Sequence, residues 1–288
     1  MNLLNITEEV LLLEQELKDK PPLNDKQEII QRLAQLLLNA VDKRTHHQNI
    51  GIAFSGGVDS TLLAFLCTKL NKKFTLYNTG IAGAPDICWA TRIAQFYNWP
   101  LKQRVCTLEE AEDIIEKTLK IIPEPTVVKT GIAAPEYVVL DMVKKDNVDV
   151  LLGGLGPEEL FAGYGRHKQA FKDNRVHEEC WDGLKKIWDN DLTRDLAVIN
   201  HFNINMQCPF LDKEVVKFAM QIAPELKINE TTKKIILLET AVHLGLEKEF
   251  AFRPKKAMQY GSGFHTAIEK LAKKKGFKLK QDYLNSLR

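Results

Sequence analysis

The sequence predicts an α/β protein: a doubly wound parallel sheet of about five strands, preceded by N-terminal helices and followed by a helical C-terminal part. Three observations predict it. From Gln48 onward, apolar runs of strand length alternate with longer helical stretches, which is the pattern of βαβ units. The first run, Ile50–Phe54, passes directly into the turn Ser55-Gly56-Gly57-Val58-Asp59-Ser60, and then into a helical pattern carrying Leu62, Leu63, Phe65, Leu66 and Leu70. Beyond Gly153 the strand signal fades, and helical patterns run to about residue 275.

Taken in order, residues 1–45 read as two amphipathic helices. The first opens at Ile6-Thr7-Glu8-Glu9-Val10, with Thr7 as its cap and Leu11, Leu12, Leu13 and Leu17 as its apolar face. Pro21-Pro22 breaks it. The second, from about Asp25 to Val41, carries Ile29, Ile30, Leu33, Leu36, Leu37 and Leu38. Strands then follow at Ile50–Phe54, Phe74–Thr79, Leu101–Cys106 and Val148–Leu152. Between them lie helices at Pro85–Tyr97, Leu108 to Ile121 and Ala133–Lys145, with Pro123-Glu124-Pro125 as punctuation. The divisions are 1–45 as a helical segment, 46–264 as the sheet domain and 265–288 as a basic tail.

Composition excludes several classes. At 288 residues, 44% apolar and 27% charged, the chain has enough apolar content for a substantial core. A net charge of +2 steers no particular partner, although Lys270, Lys273, Lys274, Lys275, Lys278 and Lys280 make the C-terminal stretch locally basic. A solvated end is the plainer reading of that stretch and RNA contact the sharper one. The five cysteines (Cys67, Cys88, Cys106, Cys180, Cys208) are scattered without a CxxC pair, which gives no support to zinc or iron–sulfur sites and suits reduced thiols. With no signal peptide and no run of eighteen apolar residues, a cytoplasmic location without membrane contact is expected.

The glycine turn carries the chemistry. A buried strand, a glycine bend and a helix N-terminus present backbone N–H groups to phosphate, and Ser55 and Ser60 add hydroxyl donors. Asp59 cannot itself favour a phosphate; its natural task is to hold a Mg²⁺ that does. The stretch is no Walker A loop, because no Gly-Lys-Ser/Thr follows. Ligands in such sheets lie beyond the carboxyl ends of the strands, so the turns at Ser55, Gly80 and Gly153 are expected to converge on one pocket.

The turn resembles the SGGxDS pyrophosphate loop of the ATP pyrophosphatases, and four further stretches resemble the asparagine synthetases. Thr79-Gly80-Ile81-Ala82-Gly83-Ala84-Pro85-Asp86 is similar to their adenine and ribose turn. Gly153-Gly154-Leu155-Gly156-Pro157-Glu158-Glu159-Leu160-Phe161-Ala162-Gly163-Tyr164 resembles their SGEGSDELFGGY segment. Cys208-Pro209-Phe210-Leu211-Asp212 resembles PFLD, and Arg253-Pro254-Lys255 resembles the RxK with a catalytic lysine. Gly163-Tyr164-Gly165-Arg166-His167 and the stretch from Pro254 to Ser262 are closest to the asparagine-synthetase-domain-containing proteins of eukaryotes and archaea.

The resemblance implies a HUP/PP-loop-type fold and an ATP-dependent, AMP-forming amide synthetase. A substrate carboxylate would attack the α-phosphorus of ATP, and ammonia would then attack the acyl-adenylate. It implies nucleotide binding at Phe54, Ser55, Gly56, Gly57, Asp59, Ser60, Thr79, Gly80, Gly153 and Gly154, and Mg²⁺ on Asp59 and Glu158. Glu158 is also read as catalytic, with Lys255 neutralising the transition state and Arg194 near the substrate end. The family's glutaminase half, whose nucleophile is a cysteine at position 2, is expected to be missing, since position 2 here is Asn2. Leu155 stands where the family has a glutamate beside substrate and ammonia, and Asn205 and Gln207 replace its usual charged residues, so aspartate is not carried over as the acceptor. The expected partners are a small carboxylic acid and ammonia, with a separate glutaminase subunit and a homo-oligomer left open and nucleic acid not favoured. Two other readings stand beside the ligase: a nucleotide-binding regulatory protein without turnover, and a tRNA-modifying PP-loop protein.

Overall fold

The computed structural model describes residues 3–46 and 49–288. The Asn2 comparison and the Gln48 start of the alternation fall outside the described residues.

Five parallel strands form one sheet in the order β3-β2-β1-β4-β5: β1 Ile50–Ala53, β2 Phe74–Ile81, β3 Leu101–Cys106, β4 Val150–Leu152 and β5 Met206–Gln207. β1 is central, with Ile50 aligned to Phe74 on one side and to Val150 on the other. The chain winds outward from β1 through β2 to β3, then returns to the far side of β1 for β4 and β5. The strand order reverses between β1 and β4, which is where a ligand crevice opens in this class of sheet.

Both faces of the sheet are covered, as a parallel sheet requires. Ile50, Ile52, Leu76, Val150 and Leu152 belong to the core shared with helices α2 (Lys26–Asp42), α3 (Val58–Lys69) and Ile235–Leu244. Tyr77 and Leu151 face the opposite way, onto α6 (Val127–Lys145) and the helix Thr193–Phe202. This is the doubly wound α/β arrangement that the alternation predicts.

Local chemistry sets most boundaries. α2 begins at the Asp25 cap, whose carboxylate accepts from Glu28 N. α5 (Leu108–Leu119) opens with a full capping box between Thr107 and Glu110. α4 (Pro85–Tyr97) starts on a proline and ends on left-handed Asn98, and its bounds and those of β3 coincide with expectation.

Elsewhere the structure corrects the sequence reading. α1 (Ile6–Leu17) has Asn5 rather than Thr7 in the cap position, with no side-chain cap bond. Its buried stripe is Ile6, Val10, Leu13 and Leu17, while Leu11 and Leu12 are 50% and 61% exposed. At about 100° per residue, three consecutive leucines cannot share one face. α6 starts at Val127, capped by Thr126, and carries Pro135 in its interior. The fifth strand is only two residues long, too short to leave a periodic signal.

Residues 265–288 are no solvated tail. Helices Phe264–Lys274 and Lys280–Ser286 bury Phe264, Ile268, Leu271, Tyr283 and Leu284 against α5 and α6. Each such side chain contributes about 1.5–3 kcal/mol. Lys273, Lys275 and Lys280 of the basic run pair with Glu269 and Glu112. Among the described residues no helix is long and apolar enough to cross a membrane, and the five cysteines are free thiols, four of them buried.

Candidate active site

The site is built from the loops that leave β1 and β4. After Ala53 the chain is held to the sheet by Phe54, whose N–H donates to Tyr77 O at 2.8 Å and whose carbonyl accepts from Asn78 Nδ2 at 2.7 Å. The bend follows at Gly56, where a φ of +66° suits glycine. A side chain there would also strike α4, since an added Cβ would lie 3.0 Å from Ala90 N. Ser60 and Thr61 both donate to Gly57 O, and Gly57 N donates to Ser55 Oγ at 3.4 Å, so α3 starts from a loop folded on itself. Asp59 lies in the first turn of α3.

β4 supplies the other wall. A Cβ on Gly154 would lie 3.3 Å from Asp59 Cβ, so the two loops touch. Gly156, at φ +111°, turns the chain into the short helix α7 (Pro157–Leu160), which carries Glu158. Gly163 is the close-approach position, because a Cβ there would lie 1.9 Å from Glu158 Oε2.

Between the two acidic residues sits a lysine that the sequence analysis did not single out. Lys234 Nζ donates to both oxygens of Asp59, at 3.0 and 2.9 Å, and to Glu158 Oε1 at 2.7 Å. Its side chain is 9% exposed, against 18% for Asp59 and 39% for Glu158. Burial opposes the charge on Lys234, yet the two carboxylates outweigh it and keep the ammonium protonated, with its pKa raised. Burial likewise works against the Glu158 carboxylate, but Lys234, Lys233 and Lys255 hold its pKa below the usual range. Lys233 donates to Gly163 O, which fastens the same corner.

Lys255 reaches the site from the C-terminal part. Its Cδ and Cε lie where a Gly57 side chain would be, 2.4 and 2.7 Å from an added Cβ. It is an exposed residue lying over the glycine bend, and its charge acts on Asp59, Glu158 and Asp86. Two residues earlier, Arg253 donates from Nε and Nη2 to Gly56 O at 3.0 and 2.8 Å and stacks over Trp89 at 4.9 Å. Sequence reasoning gave Arg253 no role of its own; the structure makes it the clasp of the bend.

The remaining candidates divide. Gly80 is pinned to the C-terminal segment, since Ile81 N donates to Ser262 O at 2.8 Å. Thr79 Oγ1 is committed to Arg104 O at 2.7 Å, within the pairing of β2 with β3. Gly153 is packed by Met206, whose Cε would lie 2.1 Å from an added Cβ. Arg194 is bonded to Asp195, Asp191 and Asn190 O rather than to Asp59 or Glu158. It is buried and held by Asp195 at 2.6 Å and Asp191 at 3.1 Å. Glu136 adjoins this group; burial first, then Asp195, keep its carboxyl protonated well above the usual range. Beside Glu158, Glu159 is buried, accepts from Tyr164 OH at 2.6 Å, and is pushed up to about 8, mainly by burial.

The donor set fits a hard divalent cation. Two carboxylates converge on a point where a positive group is already stabilised, and Gly163 keeps the space open.

The family model for asparagine synthase matches residues 32–181 and 172–282. An asparagine synthetase-type protein of Methanocaldococcus jannaschii is 33% identical over 294 residues, covering 89% of this chain and 54% of that protein. The glutamine-hydrolysing asparagine synthetase of Gallus gallus is 26% identical over 261 residues, covering 87% and 45%. The chain thus spans about half the length of the curated relatives it matches. Among solved structures, NMN synthetase from Francisella tularensis is similar at a TM-score of 0.44 and 13% identity, covering 92% of this chain and 93% of that one. Because the family model covers most of the chain and a relative 33% identical spans 89% of it, the chain belongs to the asparagine synthase family.

Proposed function

We propose that the protein is an ATP-dependent ligase that joins nitrogen to a carboxylic acid through an acyl-adenylate, releasing AMP and pyrophosphate. The observation that carries this reading is the convergence of Asp59, Glu158 and Lys255 on the glycine bend at the β1/β4 switch point. Adenylation asks the protein mainly for positioning and charge neutralisation. The N–H groups of the bend and the N-terminus of α3 receive the polyphosphate. Asp59 and Glu158 would hold Mg²⁺, which lowers the charge repulsion between phosphates and the attacking carboxylate. Lys255 lies over the bend, where negative charge accumulates as the α-phosphorus becomes five-coordinate, and Arg253 keeps the bend in place by its two bonds to Gly56 O.

Leu155 stands where the resemblance would place a glutamate beside substrate and ammonia. Leu155 is a partly buried apolar side chain packed on the core, and it supplies no carboxylate there. The substrate is a small carboxylic acid, with aspartate tested beside others because Leu155 supplies no carboxylate, and ammonia is the nitrogen source, supplied free or by a glutaminase.

The test is ATP-dependent pyrophosphate release across a panel of carboxylic acids with ammonium and Mg²⁺, including aspartate. Release of AMP and pyrophosphate with at least one acid, abolished in Asp59→Ala and Lys255→Ala, is expected. Silence across the panel from a protein that still binds ATP would favour the regulatory reading motivated by Leu155.

A further inference from the structure

Lys234 does more than line the site. Its ammonium lies between the two carboxylates that would hold Mg²⁺, 2.9 Å from Asp59 Oδ2 and 2.7 Å from Glu158 Oε1. We propose that Lys234 is a displaceable internal cation: it occupies the metal position while the site is free, excludes Mg²⁺ alone, and moves onto phosphate when metal and polyphosphate arrive together. This rests on the nucleotide reading of the site, and it adds an order to the binding.

Three features of the structure support it. The first is where the lysine comes from. Lys234 caps the N-terminus of the helix Ile235–Leu244 in a left-handed conformation, φ +57°, which a side chain with a Cβ rarely adopts. A helix N-terminus also repels a cation. Lys234 is therefore held in an unfavourable backbone state, at the wrong end of a dipole, by the two carboxylates. When those carboxylates turn to a metal, little holds the ammonium where it is. An anion at the same place would be welcomed both by the ammonium and by the helix end.

The second is the charge count. Asp59 and Glu158 bring two negative charges and Lys234 returns one positive charge. A divalent ion entering alone would meet carboxylates already paired and an ammonium within contact distance, so it would be repelled. An ion arriving with polyphosphate brings the anion that the displaced ammonium needs.

The third is the number of ligands. Among the described residues no group of three or more histidine, cysteine, aspartate or glutamate side chains could hold a metal. Mg²⁺ demands six oxygens and is commonly held by one or two carboxylates with substrate phosphates and water completing the shell. Gly163 serves the exchange, since a Cβ there would lie 2.3 Å from Lys234 Cε as well as against Glu158.

The experiment titrates Mn²⁺ into the 288-residue chain without nucleotide and counts free Mn²⁺ by electron paramagnetic resonance. Wild type is expected to bind weakly. Lys234→Met should bind at least about tenfold tighter, a difference of one decade in dissociation constant, and Lys234→Arg should restore the exclusion. Equal affinity in wild type and Lys234→Met overturns the proposal, whether both are tight or both are weak. A wild-type readout guards against a variant that fails to fold: Mn²⁺ alone should leave the melting temperature unchanged, whereas Mn²⁺ with pyrophosphate should raise it. A rise with Mn²⁺ alone again overturns the idea. Absence of acid-dependent AMP formation with the Mn²⁺ behaviour intact sinks the ligase reading and leaves the displaceable lysine standing.

Discussion

Gly163→Ala is the sharpest perturbation the structure offers. The new Cβ would lie 1.9 Å from Glu158 Oε2, 2.8 Å from Glu158 Cδ and 2.3 Å from Lys234 Cε, where ordinary contact begins near 3.4 Å. Clearing the first of these moves the Glu158 carboxylate by about 1.5 Å, the difference between 3.4 and 1.9. Gly163 is absent from the glycines with positive φ, so alanine meets no backbone penalty there. Restricting the unfolded chain would by itself add about 0.4–1 kcal/mol, which the crowding of Glu158 and buried Lys234 offsets. Glu158 is 39% exposed at its side chain and has solvent to swing into. The fold should therefore survive while the carboxylate loses its place. A misplacement of about 1 Å can cost on the order of 10²-fold in a positioned reaction, and kcat/KM for pyrophosphate release should fall by about that factor. The melting temperature should fall only modestly, because the new Cβ also crowds buried Lys234 and loosens its pairing with Glu158. Turnover within about threefold of wild type, less than 1 kcal/mol, would show that Glu158 need not stand where the structure puts it, and the site as built here would be wrong.

Other changes probe other parts. Arg253→Lys keeps the charge but loses the two-pronged grip on Gly56 O and the stacking on Trp89. The apparent affinity for ATP should drop about tenfold, as expected for losing 1–2 kcal/mol of hydrogen bond and stacking, and an unchanged ATP titration would remove Arg253 from the site. Gly156→Ala forces a Cβ at φ +111° to within 2.8 Å of Leu211 Cδ2. A loss of about 1–3 kcal/mol should appear as a lower urea midpoint, and an unshifted midpoint would contradict the geometry. His167 is buried, accepts from Tyr164 N at 3.0 Å through Nδ1, and is lowered to about 4, first by burial and then by Arg166. A depressed imidazole contributes stability that is present above about pH 6.5 and is lost as pH falls through about 4. Wild type should lose on the order of 2 kcal/mol across that window, and His167→Asn, which keeps an acceptor for Tyr164 N, should flatten that limb. A variant with the same acid limb as wild type would assign it to another group.

What the sequence revealed and what it hid follow the range of the forces involved. α4, β3 and the Asp25 start of α2 were legible because proline, capping residues and period-two patterning act within a few residues. Asp59 and Glu158 were legible because each sits in a local motif. Lys234 was not, because its meaning lies in partners 175 and 76 positions away. Yet a signal existed: Lys233-Lys234 opens the apolar helix Ile235–Leu244, where the helix dipole disfavours cations. A paired cation at the wrong end of a helix asks for an anion or a carboxylate to account for it, and here two carboxylates do. Arg194 illustrates the opposite case. A guanidinium in a matching motif suggested a ligand contact, but Asp191 and Asp195, three residues before it and one after, pair with it, and Asn190 O takes a further N–H. Charge alone therefore did not locate function in this chain. A charged group held against its local preference is the better guide to the candidate site, because such a group persists only where the surrounding fold, or a ligand the fold is built to receive, makes up the difference.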